Sequence, residues 1–324
     1  MMLRGAGVVL ALLAACPAVA QDAASFPSRP IRIVVPFPAG GPTDIDIRII
    51  AQRMSTDWKQ PVVIENRPGG NTAIGAQVVA KAEPDGYTLL AAMDTTLVLN
   101  PATAIAPLSY DPFHDFATIT LTAKNTSLIT VRTADGPKSV AELIARAKQN
   151  PGKLNYGAGI ITTRLAGYQF AHEAGIKVQM IPYKGSTDVV NGLLTGSVDF
   201  AVDGVAPSLP LIRAGKLRAL AKLNSRPLSV LPDLEPLSVA ANLPQLQDMS
   251  SWIGLVAPAG TPADVIDKIA REVVAIYADP AIADRLEKAG ITTATSTPQE
   301  FDAFFRAEAE RWTKVVRESG IRLE

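Results

Sequence analysis

Short apolar runs closed by proline or glycine alternate, along most of this chain, with stretches whose apolar residues recur at helical spacing. Residues 31–37 read as a strand buried on both faces, and residues 43–58 as a helix with Ile45, Ile49, Ile50 and Met54 turned inward. A strand at 62–64, a helix at 72–81 and a strand at 87–93 continue the alternation. This rhythm predicts a parallel sheet with helices on its faces. After a stretch rich in proline and threonine (101–112), strand-like runs follow at 116–123 and 127–131, and Asp135, Gly136 and Pro137 then break the pattern. A second alternating block begins there: helix 140–149, strand 154–156, helix 163–173, strand 178–182, helix 187–194, strand 198–202, a short helix ending at Ala214 and a strand at 217–223. The tail supplies a strand at 252–257 and helices at 262–278 and 298–319; the aromatic stripe of the last, Phe301, Phe304, Phe305 and Trp312, reads as core packing. The expectation is an α/β chain of two domains, residues 26–132 with 217–324 forming one and the inserted residues 133–216 the other.

Composition narrows the chemistry. The 324 residues carry 31 Lys plus Arg against 31 Asp plus Glu, and 48% are apolar, so neither a disordered tail nor a protein drawn to nucleic acid by bulk charge is expected. A chain of this length buries enough surface to do without a stabilising metal or disulfide. With His114 and His172 the only imidazoles and Cys16 the only thiol, the residues for a zinc site or a Cys/His nucleophile pair are lacking. Carboxylate chemistry remains open.

Residues 1–20 run from Arg4 through an apolar stretch to Ala18, Val19 and Ala20, the order of a secretory signal, and the apolar run is too short to span a bilayer. The periplasm is the expected destination. Leu13, Ala14, Ala15 and Cys16 also resemble a lipobox, which would make Cys16 a lipidated first residue. Under either reading Cys16 has no role in the folded domain.

Two corners between strand and helix stand out. In the first, Gly40 and Gly41 permit a sharp turn, Pro42 suits the first helical position and Asp44 sits in the first turn. Such a corner offers free N–H groups at the carboxyl end of a strand, where open parallel sheets bind ligands, and a helix amino terminus favours an anion. A plain tight turn, with Asp44 satisfying those donors itself, accounts for the same residues. In the second corner Gly157 and Gly159 open space, Thr162 reads as the N-cap and Arg164 brings a donor fork matched to a carboxylate or an ordinary surface cation. A dinucleotide fingerprint is a poor fit, because Thr162 stands where the third glycine belongs and the strand at 178–182 lacks a terminal acid. Tyr183 to Ser186 open a further helix, and Asp203 and Gly204 end a strand.

Taken in order, Pro36-Phe37-Pro38-Ala39-Gly40-Gly41-Pro42-Thr43-Asp44, Glu65-Asn66-Arg67-Pro68-Gly69, Pro84-Asp85-Gly86-Tyr87, Pro182-Tyr183-Lys184-Gly185-Ser186, Ala214-Gly215-Lys216-Leu217-Arg218-Ala219-Leu220 and Ala257-Pro258-Ala259-Gly260-Thr261-Pro262 resemble the Bug family, the extracytoplasmic receptors of tripartite tricarboxylate transporters. The resemblance spans the whole mature chain. It implies a two-domain periplasmic-binding-protein (Venus-flytrap) fold, each domain a mostly parallel sheet flanked by helices, closing over a small organic carboxylate. It implies no enzyme, no cofactor and no metal, a monomer, and membrane subunits of such a transporter as partners. Carried over by motif, Ala39, Gly40, Gly41 and Asp44 form one lip of the cleft, and Thr162, Thr163, Tyr183 and Asp203 the other. Two positions depart from the family: Arg164 stands where His is common, and Asp94, where Gly or Ser is usual, would place an acid near the cleft. The rival readings are an exported hydrolase using Asp44, Asp94 or Asp203 as acid and base, although no serine elbow accompanies them, and a lipid-anchored sensor ectodomain of the same fold.

Overall fold

The computed structural model describes residues 25–103, 107–246 and 249–319; residues 1–20, with Cys16 and the export reading, lie outside them. The chain opens with β1 (Ile31–Val35), α1 (Pro42–Trp58), β2 (Val62–Asn66), α2 (Ala73–Ala80) and β3 (Thr88–Met93). A π-helical turn (Thr95–Leu99) and α3 (Asn100–Thr103) lead to β4 (Phe116–Asn125). There follow β5 (Ser127–Arg132), α4 (Val140–Gln149), β6 (Asn155–Ala158), α5 (Ile161–Glu173), β7 (Gln179–Pro182), α6 (Ser186–Leu194), β8 (Phe200–Gly204), α7 (Val205–Arg213), β9 (Leu217–Lys222) and α8 (Leu237–Ala240). The chain then returns through β10 (Ser251–Pro258), α9 (Ala263–Tyr277), α10 (Pro280–Lys288), β11 (Ile291–Thr293) and α11 (Pro298–Ser319).

Two sheets result, ordered β11-β4-β10-β3-β1-β2 and β7-β6-β8-β5-β9. In the first, β1 runs parallel to β2 and β3, while β10 is antiparallel to β3 and β4. Successive residues of β1 face opposite ways and both faces are covered, which is why every residue of the strand but Arg32 is apolar. Ile33 joins Ile47, Ile50 and Met54 of α1 and Ile269 and Val273 of α9 on one face. Val34 joins Val79 of α2 and Phe301, Phe305 and Trp312 of α11 on the other. The second sheet is covered likewise, with Leu143 and Phe170 on one face and Val189 and Leu193 on the other.

The inserted lobe is wider than the residue pattern suggests. β5 and β9 pair with each other, and β5 pairs with β8, in the second sheet; Leu237, Leu246 and Met249 join the second core. Asp135, Gly136 and Pro137, read as the boundary, form a turn inside this lobe, and the second sheet with its core spans 127–249 rather than 133–216. The chain crosses between lobes at Asn125–Ser127 and again at Met249–Ser251. Asn224 ties the two crossings together, its Nδ2 donating to Thr126 Oγ1 at 2.9 Å and to Ser250 Oγ at 2.8 Å. Among the described residues no helix is long and apolar enough to cross a membrane.

Candidate functional site

Between the lobes lies a cavity of about 230 Å³. Ala39, Gly41, Pro42 and Thr43 wall it from the first lobe, Thr163, Gly185, Ser186, Thr187, Asp188, Asp203 and Gly204 from the second, and Asn125, Ser127 and Ser251 from the crossings. The first lip is shaped by Gly40, whose φ of +85° turns the chain out of β1, and by Pro42 at the start of α1.

Helix amino termini dominate this cavity. The N-caps of α1, α6 and α7 are Gly41, Gly185 and Gly204; none offers a side-chain oxygen to the first turn, and all three line the cavity. Each end therefore keeps unsatisfied N–H groups and the positive pole of its dipole. No Lys or Arg is among the described residues lining the cavity, so its attraction for an anion rests on backbone.

Asp44 stabilises the lip from behind. Its carboxylate accepts from the Gly40 amide at 2.9 Å, Arg48 Nε at 2.8 Å and Asn66 Nδ2 at 2.9 Å. Burial alone would raise its pKa, but Arg48, the Gly40 amide and Asn66 outweigh that and hold it below the usual carboxylate range. Neither Asp44 nor Gly40 lines the cavity.

The second lip differs from expectation in its cap. The N-cap of α5 is Ile160, and Thr163 serves the helix start: its hydroxyl accepts from the Ile160 amide at 3.3 Å and donates to the Ile160 carbonyl at 3.0 Å. Thr162, one turn position earlier and fully buried, points to the other lobe and donates to Asp94 Oδ2 at 2.8 Å. Asp94 also accepts from the Thr95 amide at 2.7 Å, and burial pushes its pKa up to about 7 against those two bonds. It is a buried link between lobes rather than a cavity wall.

Asp203 is in the cavity. Ser186 Oγ donates to its Oδ1 at 2.8 Å, while Oδ2 has no partner, and burial raises its pKa to about 7 against the Ser186 hydroxyl and the Gly204 amide. Asn125 is buried with both ends of its amide unpartnered. Two side chains of the wall thus carry buried polar atoms without a partner, an arrangement that calls for explanation in a folded chain. The residue pattern did not single out Asn125, Ser127 or Ser251; the only trace is a polar triplet, Asn125, Thr126 and Ser127, between two apolar runs.

Arg164 and Tyr183 line a second cavity, of about 410 Å³, which shares Phe37, Pro38 and Ile160 with the first. Of the ten candidates, Ala39, Gly41, Thr163 and Asp203 meet in the first cavity and Arg164 and Tyr183 in the second, while Gly40, Asp44, Asp94 and Thr162 line neither. Of the three aspartates of the hydrolase reading, only Asp203 lines either of these two cavities. Among the described residues no cluster of three His, Cys, Asp or Glu side chains could hold a metal ion.

Comparison with known proteins gives a consistent picture. The model of the tripartite tricarboxylate transporter family receptor matches residues 47–321. The UPF0065 protein of the tcbD–tcbE intergenic region of Pseudomonas sp. (strain P51) is 35% identical over 315 residues, covering 97% of this chain and 93% of that one. R. palustris Rpa4515, solved with adipate, superposes with a TM-score of 0.88 at 32% identity over 92% of this chain and 99% of its own. The periplasmic binding protein BugD does so with a TM-score of 0.82 at 30% identity, over 92% and 100%.

Proposed function

The chain belongs to the tripartite tricarboxylate transporter receptor family, which includes Bug proteins, and from that premise we propose that it captures a small organic carboxylate between its lobes and delivers it to the membrane subunits of such a transporter. The observation that carries this reading is the convergence of uncapped amino termini from opposite lobes, α1 from one and α6 and α7 from the other, on one cavity lined by no cationic side chain. A carboxylate held there bonds to amides of both lobes at once, and only the closed arrangement supplies both sets. Differential contact of that kind makes closure depend on ligand. Micromolar affinity requires about −8 kcal/mol, and a hydrogen bond to a charged group nets about 1.5–3 kcal/mol, so three or four such bonds with burial of the ligand body suffice. Rpa4515 was solved with adipate, which supports a carboxylate as the guest.

Export through residues 1–20 accompanies this role, with a periplasmic monomer as the working form; mass spectrometry of the mature amino terminus separates cleavage after Ala20 from lipidation of Cys16. The functional test is a thermal-shift screen of the purified protein against mono-, di- and aromatic carboxylates. A ligand at a hundred times its dissociation constant stabilises by about 2.7 kcal/mol. Stabilisation without product formation supports the receptor. Turnover of the ligand supports the hydrolase instead, and co-purification with a kinase the sensor.

A further inference from the structure

The second cavity is built for a charge that the first does not hold. Its second-lobe wall is Arg164, which is only 8% exposed. The guanidinium makes one long hydrogen bond, from Nη2 to the Tyr183 carbonyl at 3.3 Å, and its Nε has no partner. Among the described residues no carboxylate pairs with it. A buried cation without a counter-ion is strongly unfavourable. Lys184, exposed, adds a second cation to the same wall.

The facing wall is the loop before α2. Gly69, Gly70, Asn71 and Thr72 follow one another with φ of +124°, +55°, +49° and +81°, and all four line the cavity. Asn tolerates the left-handed region, but Thr72 is β-branched and its left-handed backbone is strained, and strain of this kind gathers at ligand-binding loops. Thr72 starts α2 without a side-chain cap, and the loop's own carbonyls serve that turn instead, Gly70 accepting from the Ala73 amide and Gly69 from the Ile74 amide at 3.5 Å.

We propose that the second cavity is an anion site with Arg164 as its charged group, and that it receives the second carboxylate of a dicarboxylic ligand whose first carboxylate occupies the neighbouring cavity. The inference rests on the receptor reading of the first cavity. The two cavities adjoin, with Phe37, Pro38 and Ile160 in the walls of both, and the proposal requires one short carbon chain to pass these residues from one to the other. The guanidinium presents a planar fork matched to a carboxylate, and it is the buried cation at either cavity. Arg164 is therefore the residue that tells a dicarboxylate from a monocarboxylate of the same length.

Calorimetry tests this on the purified protein with matched pairs, butanoate against succinate and hexanoate against adipate, for the natural chain, Arg164→Gln and Arg164→Lys. Thermal unfolding checks that each variant is folded. The expected result is that the natural chain prefers the dicarboxylate of at least one pair by tenfold or more, that R164Q loses this margin, and that R164K keeps part of it. Equal affinity for both members of every pair in the natural chain overturns the proposal whether or not the variants fold, and so does a margin that survives in folded R164Q. If the natural chain binds none of these acids, the receptor reading falls and the proposal with it; carboxylate binding without the margin removes the Arg164 site alone.

Discussion

Thr162 Oγ1 donates to Asp94 Oδ2 at 2.8 Å, joining the first turn of α5 in one lobe to the head of the π-helical turn in the other. Both side chains are fully buried. A hydrogen bond nets about 0.5–1.5 kcal/mol, or about 1.5–3 kcal/mol when Asp94 is ionised, and this one is made only while the lobes are together. Thr162→Val removes it with little change of volume and disfavours the closed arrangement, so carboxylate affinity should fall about tenfold or more. Calorimetry reads the affinity and small-angle scattering the closure; unchanged values in both would show that the bond does not hold the lobes together.

The lobes also meet at glycines. A Cβ on Gly185 would stand 3.3 Å from Pro38 Cγ, and one on Gly204 would stand 3.1 Å from Pro42 Cγ. With φ of −179° and −64° neither position requires glycine for its backbone, so a larger residue acts through contact alone. Gly185→Val should hold the lobes apart and weaken carboxylate binding at least tenfold while leaving the unfolding temperature nearly unchanged. A Gly185→Val protein that binds normally would show that closure leaves more room at Pro38 than these distances allow.

How much of this was legible in the residues depends on how local the signal is. The first lip was readable, because Gly40, Gly41, Pro42 and Asp44 are adjacent and their chemistry is that of one turn. Asp44 as acceptor for the turn's own donors was one of the two readings, and it accepts from the Gly40 amide; its bond to Asn66 was not legible, since Asn66 comes from β2. Thr162 looked like a cap because a threonine beside glycines usually is one; its partner Asp94 lies 68 residues away. The crossings were not legible because nothing local marks a change of lobe: Asn125 falls in the short polar gap between the runs at 116–123 and 127–131, and Ser251 just ahead of the run at 252–257. α10 escaped because only Leu286 in it is buried, leaving no stripe to find.

Stability should depend on pH with an acidic optimum. Burial raises Asp46 to about 6 and Asp94 and Asp203 to about 7, against about 4 in an unfolded chain. Between those values the native chain holds protons that the unfolded chain has released. The stability from these groups is therefore complete below about pH 4 and is lost as pH rises through 6 to 7. Asp44, held low by Arg48, works the other way and loses its contribution only as pH falls below the usual carboxylate range. The unfolding temperature should decline from about pH 5 to about pH 8, and Asp94→Asn should flatten the decline. A temperature that rises over this interval would mean that the three carboxyls are ionised in the native chain.

Asp203 should make binding itself depend on pH. Asp203 lines the first cavity; its buried Oδ2 has no partner, while Ser186 holds Oδ1. Protonated, Oδ2 donates a hydrogen bond to a ligand carboxylate; ionised, it places a like charge in the cavity. Affinity should then fall as pH rises through about 7, by up to about tenfold per pH unit if one proton accompanies each ligand. Asp188 lines the same cavity but is exposed, where solvent screens its charge. Asp203→Asn keeps a donor and removes the titration, so its affinity should stay level across pH 6 to 8 and exceed that of the natural chain at the upper end. If the slope persists in Asp203→Asn, the linked proton belongs to another group; if the natural chain shows no slope, Oδ2 does not meet the ligand's carboxylate.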